Sequence, residues 1–193
     1  MISVKKYPAP PVDMNEILRY MGCKEQNKEA LTLAENCLSL CVNELSYSVC
    51  FDKFPITVTE DTVVFPFAKA PSSALSKNLS GYENAVVFAA TVGIGLDRLI
   101  LKYSRIAPSY ALAFQAIGAE RIEALCDTFC DDLKAGNSEI SPRFSPGYSD
   151  LPLNFQSEIF KVLDCNRKIG LSLNSALLMS PSKSVTAIIG VKE

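Results

Sequence analysis

Residues 84–93 read NAVVFAATVG, a continuous apolar run of strand length. Successive side chains of a strand point to opposite faces of the sheet, so an uninterrupted apolar run predicts a central strand with both faces buried. Gly93 and Gly95 follow it, ahead of a helical pattern, and this order suits either a phosphate-binding loop or a tight strand-to-helix turn. A dinucleotide fingerprint needs a third glycine, and its absence favours the turn.

Sheet-like and helical segments surround this strand. Before it, residues 47–67 are rich in β-branched and aromatic side chains, which predicts an antiparallel strand pair with a turn at Glu60–Asp61. A short helix follows, capped by Ser72 or Ser73 and ended by Gly81. Beyond the strand the pattern predicts, in order, helices at residues 96–103, 109–134 and 155–163 and strands at residues 168–174 and 184–191.

The N-terminal segment is proline-rich, and residues 1–12 are expected to form an extended arm. Asp13 is a typical helix N-cap, and Glu16 completes a capping-box pattern for a short helix that Gly22 ends. From residue 24 to residue 45, apolar side chains recur at steps of three and four. That spacing predicts an amphipathic helix with one buried stripe.

The order of these segments indicates the fold class. Strands occur as a pair, then singly, then as a pair, with helices between them. This order favours an α+β fold over a doubly wound parallel sheet. No repeat and no low-complexity linker divides the sequence, so residues 1–193 are expected to form a single domain.

Composition excludes several classes of protein. The chain has 193 residues, 48% of them hydrophobic, and is therefore long enough to bury a sizeable core. No apolar run approaches the roughly 20 residues of a membrane-spanning helix, and the first residues lack the apolar stretch of a secretory signal. A cytoplasmic protein is therefore expected. A formal net charge of −2, without clustered Lys and Arg, argues against a nucleic-acid partner.

The sequence contains no histidine. That absence excludes zinc sites that use histidine, Ser-His-Asp and Cys-His nucleophiles, and histidine general bases. Seven cysteines are dispersed without a C-x-x-C pair, so they are expected to be reduced and mostly buried. The pairs Cys37/Cys41 and Cys126/Cys130 have the spacing of one helix face, where small core filler is favoured over a metal site.

Residues 143–148, RFSPGY, lie in the loop between two predicted helices. Arg143 supplies a planar fork of donors that matches a carboxylate. Pro146 stiffens the loop, Gly147 lets a ligand approach bare backbone amides, and Tyr148 can stack or donate its hydroxyl. A Pro-Gly pair is equally typical of a type II turn with a solvated arginine beside it. Local chemistry therefore supports both a carboxylate clamp and a simple turn.

This loop and the residues after it resemble the activation, S-adenosylmethionine-binding domain of cobalamin-dependent methionine synthase. That family carries an R-x-x-P-G-Y loop, a helix, and then the pattern G-x-x-L-T/N-x-x-x-x-M-x-P-x-x-S-V. The matching positions in this sequence are Arg143, Pro146, Gly147, Tyr148, Gly170, Leu173, Asn174, Met179, Pro181, Ser184 and Val185. Residues 15–24, 75–100 and 116–129 are also similar to small stand-alone members, so the resemblance covers nearly the whole chain.

The resemblance implies a fold and a ligand. The family fold is α+β, a single domain with helices packed around a twisted antiparallel β-sheet. Its ligand is S-adenosylmethionine. By resemblance, Arg143 holds the methionyl carboxylate, the backbone around Pro146 and Gly147 lines the adenosine site, and Tyr148 completes it.

The resemblance also implies an acidic contribution to the site. A ligand-binding glutamate on the long helix of the family falls near Glu123, and Glu120 is the weaker candidate. An acidic residue that the longer domain uses near its N-terminus has no clear counterpart in this sequence.

The implied function is that of a stand-alone reactivation subunit. Such a protein binds S-adenosylmethionine and presents its methyl group to inactive cob(II)alamin. The cobalamin is supplied by a partner, a corrinoid-carrying methionine synthase that lacks its own activation domain, with an electron from a flavodoxin-type donor. This chain has no homocysteine, folate or cobalamin modules and is not a complete enzyme alone. The alternative is a non-catalytic binding or scaffold module of another corrinoid methyltransferase system that has lost S-adenosylmethionine binding.

Overall fold

Helices and strands are mixed along the chain in the computed structural model, which describes residues 1–24, 27–136 and 139–192. The strands are β1 (Ser3–Tyr7), β2 (Tyr47–Pro55), β3 (Thr57–Val58), β4 (Thr62–Val64), β5 (Lys69–Pro71), β6 (Asn84–Thr91), β7 (Glu139–Ile140), β8 (Ser172–Leu173), β9 (Met179–Ser180) and β10 (Ser184–Lys192). The helices are α1 (Met14–Tyr20), α2 (Lys28–Cys41), α3 (Ser73–Asn78), α4 (Gly95–Ile106), α5 (Pro108–Gly136), α6 (Gln156–Leu163) and α7 (Cys165–Ile169). The α+β prediction is confirmed.

Among the described residues, a five-stranded antiparallel sheet has the order β1-β2-β6-β10-β7. The apolar run of residues 84–93 supplies β6, which pairs with β2 on one side and with β10 on the other. Phe88 lies opposite Phe51 in the first register and opposite Ala187 in the second. The predicted central strand is therefore confirmed.

Both faces of β6 are buried. Val86, Phe88 and Ala90 point into one hydrophobic cluster, which α1, α2, α4 and α5 cover. There Phe88 packs on Phe129 of α5 with ring centroids 4.8 Å apart. The alternate residues of β6 point into a second cluster, which α3, α6, α7 and the small β3-β4-β5 sheet cover. The sheet thus separates two cores, as an apolar strand with two buried faces requires.

The predicted N-terminal arm is part of the sheet. Residues 3–7 form β1, which pairs antiparallel with β2 at the sheet edge. Lys5 and Tyr7 also hydrogen-bond to the Asp132 carboxylate of α5. A proline-rich segment indicates extended backbone, but its partner strand lies far along the chain, so the local sequence does not reveal this pairing.

Asp13 caps α1 as predicted. Its carboxylate accepts hydrogen bonds from the amides of Asn15 at 3.0 Å and Glu16 at 3.1 Å. The reciprocal half of the predicted capping box is wrong, because the Glu16 carboxylate binds Arg19 instead. The Asp13 amide donates to Glu120 of α5 at 2.9 Å. A distant glutamate therefore does what the local one was expected to do.

Two predicted elements are shorter than expected. The helix predicted at residues 24–45 is α2, which Asn27 caps and which ends before a 3-10 turn at Val42–Glu44. Residues 25 and 26 of that prediction lie outside the described residues, as do residues 137, 138 and 193. The strand predicted at residues 168–174 is wrong over its first part, where Ile169 ends α7, and β8 keeps the two residues that pair with β9.

Gly93 serves the turn between β6 and α4. Its φ is +86°, and an added Cβ would lie 2.3 Å from the Ser46 Oγ atom. Glycine is favoured there by the left-handed backbone, and a Cβ would also require the Ser46 hydroxyl to move. The turn interpretation of this glycine pair is therefore confirmed.

The long helix α5 organises one side of the molecule, and its span of Pro108–Gly136 contains the helix predicted at residues 109–134. It packs against α1, α2 and α4. Ile117, Arg121 and Leu125 share its buried face. Within the described part of the chain, no helix combines the length and the apolar character needed to cross a lipid bilayer. α5 covers the first hydrophobic cluster with its buried face and carries polar side chains on its other face.

Candidate functional site

The RFSPGY loop contains a tight turn. The Tyr148 amide donates to the Ser145 carbonyl at 3.1 Å, which places Pro146 and Gly147 at the central positions. The φ of Gly147 is +85°, as a type II turn requires at its third residue. The Gly147 amide in turn donates to the Leu151 carbonyl at 2.9 Å. The turn is real, and the two amides expected to be bare are bonded within the loop.

The residues before this turn form an irregular edge of the sheet. The amide of Phe144 donates to the Ile188 carbonyl of β10 at 3.0 Å, and the Ile188 amide donates back at 2.9 Å. Phe144 is buried in the second cluster, and the Tyr148 ring meets it edge-on with centroids 5.3 Å apart. Arg143, one residue earlier, points to the opposite face, where α5 lies.

Arg143 is paired with two carboxylates of α5. Its Nη2 donates to Glu123 Oε2 and to Asp127 Oδ1, both at 2.9 Å. Burial alone would lower the pKa of Arg143, but its acidic neighbours, with Cys126 and Glu123 foremost, leave that pKa raised. Burial raises the pKa of Cys126 to about 12, so the thiol is neutral near neutral pH and the carboxylates supply the charge. Arg143 is therefore a cation at the sheet edge whose position is fixed by Glu123 and Asp127.

A groove of about 360 Å³ lies beside this cluster, between α1 and α5. Its volume is within the range typical of small-molecule sites. Its lining is acidic and consists of Pro11, Asp13, Glu16, Tyr20, Glu120, Glu123, Ala124 and Asp127. The residues of the RFSPGY loop are outside this lining, and Arg143 reaches it through its hydrogen bonds to Glu123 and Asp127. The structure therefore brings Arg143 and Glu123 together and leaves the Pro-Gly turn to one side.

Glu120, the weaker of the two candidate glutamates, has a different set of partners. It forms a bidentate ion pair with Arg121, and one of its oxygens also accepts from the Asp13 amide. Both Glu120 and Arg121 are buried, with 4% and 1% of their side chains exposed. Glu123 is half-exposed and touches Arg143. Of the two glutamates, Glu123 is therefore the one that is exposed and paired with Arg143.

Arg121 is a residue that sequence reasoning missed. Its guanidinium also donates to the backbone carbonyls of Pro10 and Pro11, each at 2.6 Å. Burial alone would lower the pKa of Arg121, but the ion pair with Glu120 outweighs it and the pKa is raised. The available signal was helical spacing, because a charge at position 121 falls in the same stripe as Ile117 and Leu125.

The carboxylates at the end of α5, those of Asp127, Asp131 and Asp132, lie on an exposed face of the helix. Asp127 binds Arg143, Asp131 binds Lys134, and Asp132 binds Lys5. Each carboxylate therefore has a cationic neighbour. Asp13 and Glu16 meanwhile bring N-terminal carboxylates into the groove, although the sequence offered no clear counterpart for such a group.

Asp150 anchors the far end of the loop. Its carboxylate accepts from the Ser72 hydroxyl and from the Ser73 amide at 2.8 Å, with the Ala74 amide at 3.3 Å. The amides of Ser73 and Ala74 belong to the first turn of α3 and have no acceptor within the helix, so the Asp150 carboxylate supplies one. The loop is therefore fixed at both ends, by Arg143 on α5 and by Asp150 on α3.

Two further features of the described residues bear on the choice of site, a second cavity and the cysteines. A cavity of about 450 Å³ lies between α6, α7 and the β8–β9 hairpin, on the side of the sheet away from Arg143. Six of the cysteines are buried, and all seven are free, as expected. Over the described ranges, no group of three or more Cys, Asp or Glu side chains is placed to hold a metal ion. The acidic groove is the candidate site.

Comparison with known proteins supports the fold. No family model matches the sequence, and no curated protein matches it. Among solved structures, the chain is similar to the MetH reactivation domain bound to AdoHcy, with a TM-score of 0.71 and 14% sequence identity. The match covers 98% of this chain and 78% of that chain. The chain therefore has the fold of the MetH reactivation domain, as the resemblance implied.

Proposed function

We propose that this protein binds S-adenosylmethionine in the acidic groove between α1 and α5 and acts as a separate reactivation subunit for a cobalamin-dependent methionine synthase. The observation that carries the proposal is the cluster of Arg143, Glu123 and Asp127 at the side of that groove. The fold shared with a domain bound to AdoHcy is consistent with it.

The charges of the groove match the charges of this ligand. The methionyl part of S-adenosylmethionine has one carboxylate and two cationic groups, the ammonium and the sulfonium. Arg143 is a cation beside several carboxylates, which is the complementary arrangement. Paired charges in a partly buried groove give orientation as well as affinity. The residues present therefore fit the ligand.

Arg143 keeps the capacity to bind a carboxylate while its own ion pairs persist. Both pairs use Nη2, and a guanidinium has five N–H donors in a planar fork. In our proposal the remaining donors hold the methionyl carboxylate, while Glu123 and Asp127 face the cationic groups. The Pro146–Gly147 turn and Tyr148 then flank the adenosine. The amides of Gly147 and Tyr148 are bonded within the loop. In our proposal the adenosine therefore contacts the side chains and carbonyl groups of this turn and not its amides.

The role of the chain is to bind and orient. When bound, S-adenosylmethionine supplies the methyl group that restores cob(II)alamin carried by a partner. Glu123, Asp127 and Arg143 hold the ligand at the edge of the sheet, where one side of the groove is open. Orientation of this kind is the main contribution that a protein makes when a cofactor carries the chemistry. The partner is a corrinoid-carrying methionine synthase without its own activation domain, and a flavodoxin-type donor provides the electron.

One observation favours the alternative function. Arg143 is already satisfied by two carboxylates, so the three side chains can serve as a structural link between the loop and α5. A module of this kind would keep the fold and serve as a scaffold in another corrinoid methyltransferase system. It would bind no nucleoside.

Calorimetric titration separates these functions. We expect wild type to bind S-adenosylmethionine, and Arg143→Ala to lose about 2 kcal/mol, roughly 30-fold in Kd, because a charge-assisted carboxylate contact is removed. Arg167→Ala is the matched control, since Arg167 forms an exposed ion pair with Asp164 on α7. Its affinity should equal that of wild type.

A second pair of titrations tests the charge argument. Glu123→Gln should weaken the binding of S-adenosylmethionine more than the binding of S-adenosylhomocysteine, because the thioether of S-adenosylhomocysteine carries no positive charge. No saturable heat with wild type at millimolar ligand rejects the proposed function and favours the scaffold. Binding that Arg143→Ala leaves unchanged rejects the placement of the carboxylate.

A further inference from the structure

Arg121 joins α5 to the N-terminal arm. Its guanidinium binds Glu120 through Nε and Nη2, and it donates to the carbonyls of Pro10 and Pro11 at 2.6 Å. Glu120 in turn accepts from the Asp13 amide at 2.9 Å. Three hydrogen bonds, at residues 10, 11 and 13, thus fix this stretch of backbone against α5.

The backbone held in this way is one wall of the acidic groove. Pro11 and Asp13 line the groove on one side, and Glu123 and Asp127 line it on the other. Pro10 and Pro11 have no N–H group and residues 8–12 have no regular secondary structure, so neither a helix nor a sheet holds this segment. The carbonyl contacts to Arg121 are its direct polar links to α5.

We infer that Arg121 is a positioning residue for the proposed ligand site, which it shapes by holding the N-terminal wall of the groove. It does this from within the core and does not touch the ligand. The inference rests on the proposed function for the identity of the ligand, but the claim about the wall stands on geometry alone.

A purely stabilising role does not account for a charge at this position. Position 121 lies in the buried stripe of α5 between Ile117 and Leu125, where a leucine would pack without a desolvation cost. A leucine has no donors for two backbone carbonyls. What the arginine adds is a fixed position for the arm, and it neutralises Glu120 at the same time. The charge of Glu120 is therefore paired within the core, and the carboxylates of the groove that are not buried are those of Asp13, Glu16, Glu123 and Asp127.

The test uses the double variant Glu120→Gln, Arg121→Met in the full chain. Glutamine keeps an acceptor for the Asp13 amide, and methionine fills the stripe without leaving an unpaired charge. Hydrogen exchange of the Asp13 amide reports on the wall, and titration with S-adenosylmethionine reports on the site. We expect exchange at least about 10-fold faster and a Kd about 10-fold higher, with folding shown by circular dichroism.

Ile159→Ala is the control for general destabilisation, because Ile159 is buried in the second cluster across the sheet. At a comparable melting temperature it should change neither Asp13 exchange nor affinity. If the double variant does not fold, Arg121→Lys, which keeps the charge but cannot span both carbonyls and Glu120, replaces it with the same two readouts.

Unchanged Asp13 protection in the variant overturns the inference, and so does lost protection with an unchanged Kd. If wild type itself binds no S-adenosylmethionine, the proposed function is overturned and the ligand part of the inference falls with it. Asp13 exchange then still decides whether Arg121 holds the arm.

Discussion

Arg121 and Arg143 both bind carboxylates of α5, but their surroundings give them different roles. Arg121 is enclosed in the core and its donors are used by Glu120 and by two backbone carbonyls. Arg143 is 25% exposed at the sheet edge and its two ion pairs share one nitrogen. An arginine in a core fixes backbone, whereas one at an edge retains donors for a ligand.

Gly147 is the residue on which the position of the loop depends most directly. Its φ of +85° is strained for any residue with a Cβ, and an added Cβ would lie 3.1 Å from Leu153 Cδ1. We expect Gly147→Ala to lower the free energy of unfolding by about 1–2 kcal/mol, measured by chemical denaturation. It should also weaken ligand binding, because the loop carries Arg143.

Gly136→Ala is the matched control for that substitution. Gly136 ends α5, and an added Cβ there meets no described atom within 4 Å. Alanine has the higher helix propensity, so this variant should be neutral or more stable by up to about 1 kcal/mol. Equal stability of the two alanine variants would contradict the conformational argument for Gly147.

Single residues differ in how far their roles can be predicted from sequence. The Pro146–Gly147 turn was predictable because its cause is local, a ring-fixed φ followed by a residue free to adopt positive φ. The partners of Arg143 were not, because Glu123 and Asp127 meet it through the packing of α5 against the sheet. Resemblance pointed to Glu123, but neither pattern nor resemblance pointed to Arg121.

The same distinction holds for secondary-structure elements. β6 and α5 were predictable because long apolar patterns determine them, and their caps and breakers lie in the same stretch. β1 and the bounds of β8 were not, because a short strand depends on its partner more than on its own sequence. The groove wall is the extreme case, since it has no regular structure and depends on contacts to α5.

Helix α3 depends on a carboxylate from a distant loop. The hydrogen bond from the Ser72 hydroxyl, together with the amides of Ser73 and Ala74, lowers the pKa of Asp150 from its ordinary value of 3.8. A lowered folded-state pKa means that the contribution to stability is complete above the ordinary value. It is lost as the pH falls through the folded-state value. The helix dipole also favours the ionised Asp150 carboxylate, because a negative charge is stabilised at a helix N-terminus.

This coupling predicts a specific pH dependence for α3. The difference in melting temperature between wild type and Asp150→Asn should be constant between about pH 7 and pH 5 and should shrink below about pH 4. Asp131→Asn is the control, because Asp131 is an exposed carboxylate paired with Lys134 away from any helix N-terminus. A difference that is independent of pH down to the acid transition would show that Asp150 acts without its charge.

At the scale of the whole molecule, the sheet separates two cores and the candidate site lies at the edge where the sheet and α5 meet. The first core is closed by α1, α2, α4 and α5, and the groove lies between two of these helices. The RFSPGY loop crosses from one side to the other, with Arg143 on the first side and Phe144 in the second core. A ligand in the groove would therefore bridge the N-terminal wall, α5 and the loop.

In the proposed function S-adenosylmethionine contacts all three of these parts, so its binding should stabilise the folded protein as a whole. A ligand that binds the native state and not the unfolded chain adds about 2.7 kcal/mol at a concentration of 100 times Kd. For a chain of this size that corresponds to a rise in melting temperature of roughly 5–10 °C. Arg143→Ala at the same S-adenosylmethionine concentration should show a clearly smaller rise, while Arg167→Ala should match wild type. A rise of equal size in all three proteins would place the ligand elsewhere, and the larger cavity beside α6 and α7 would then be the site to probe.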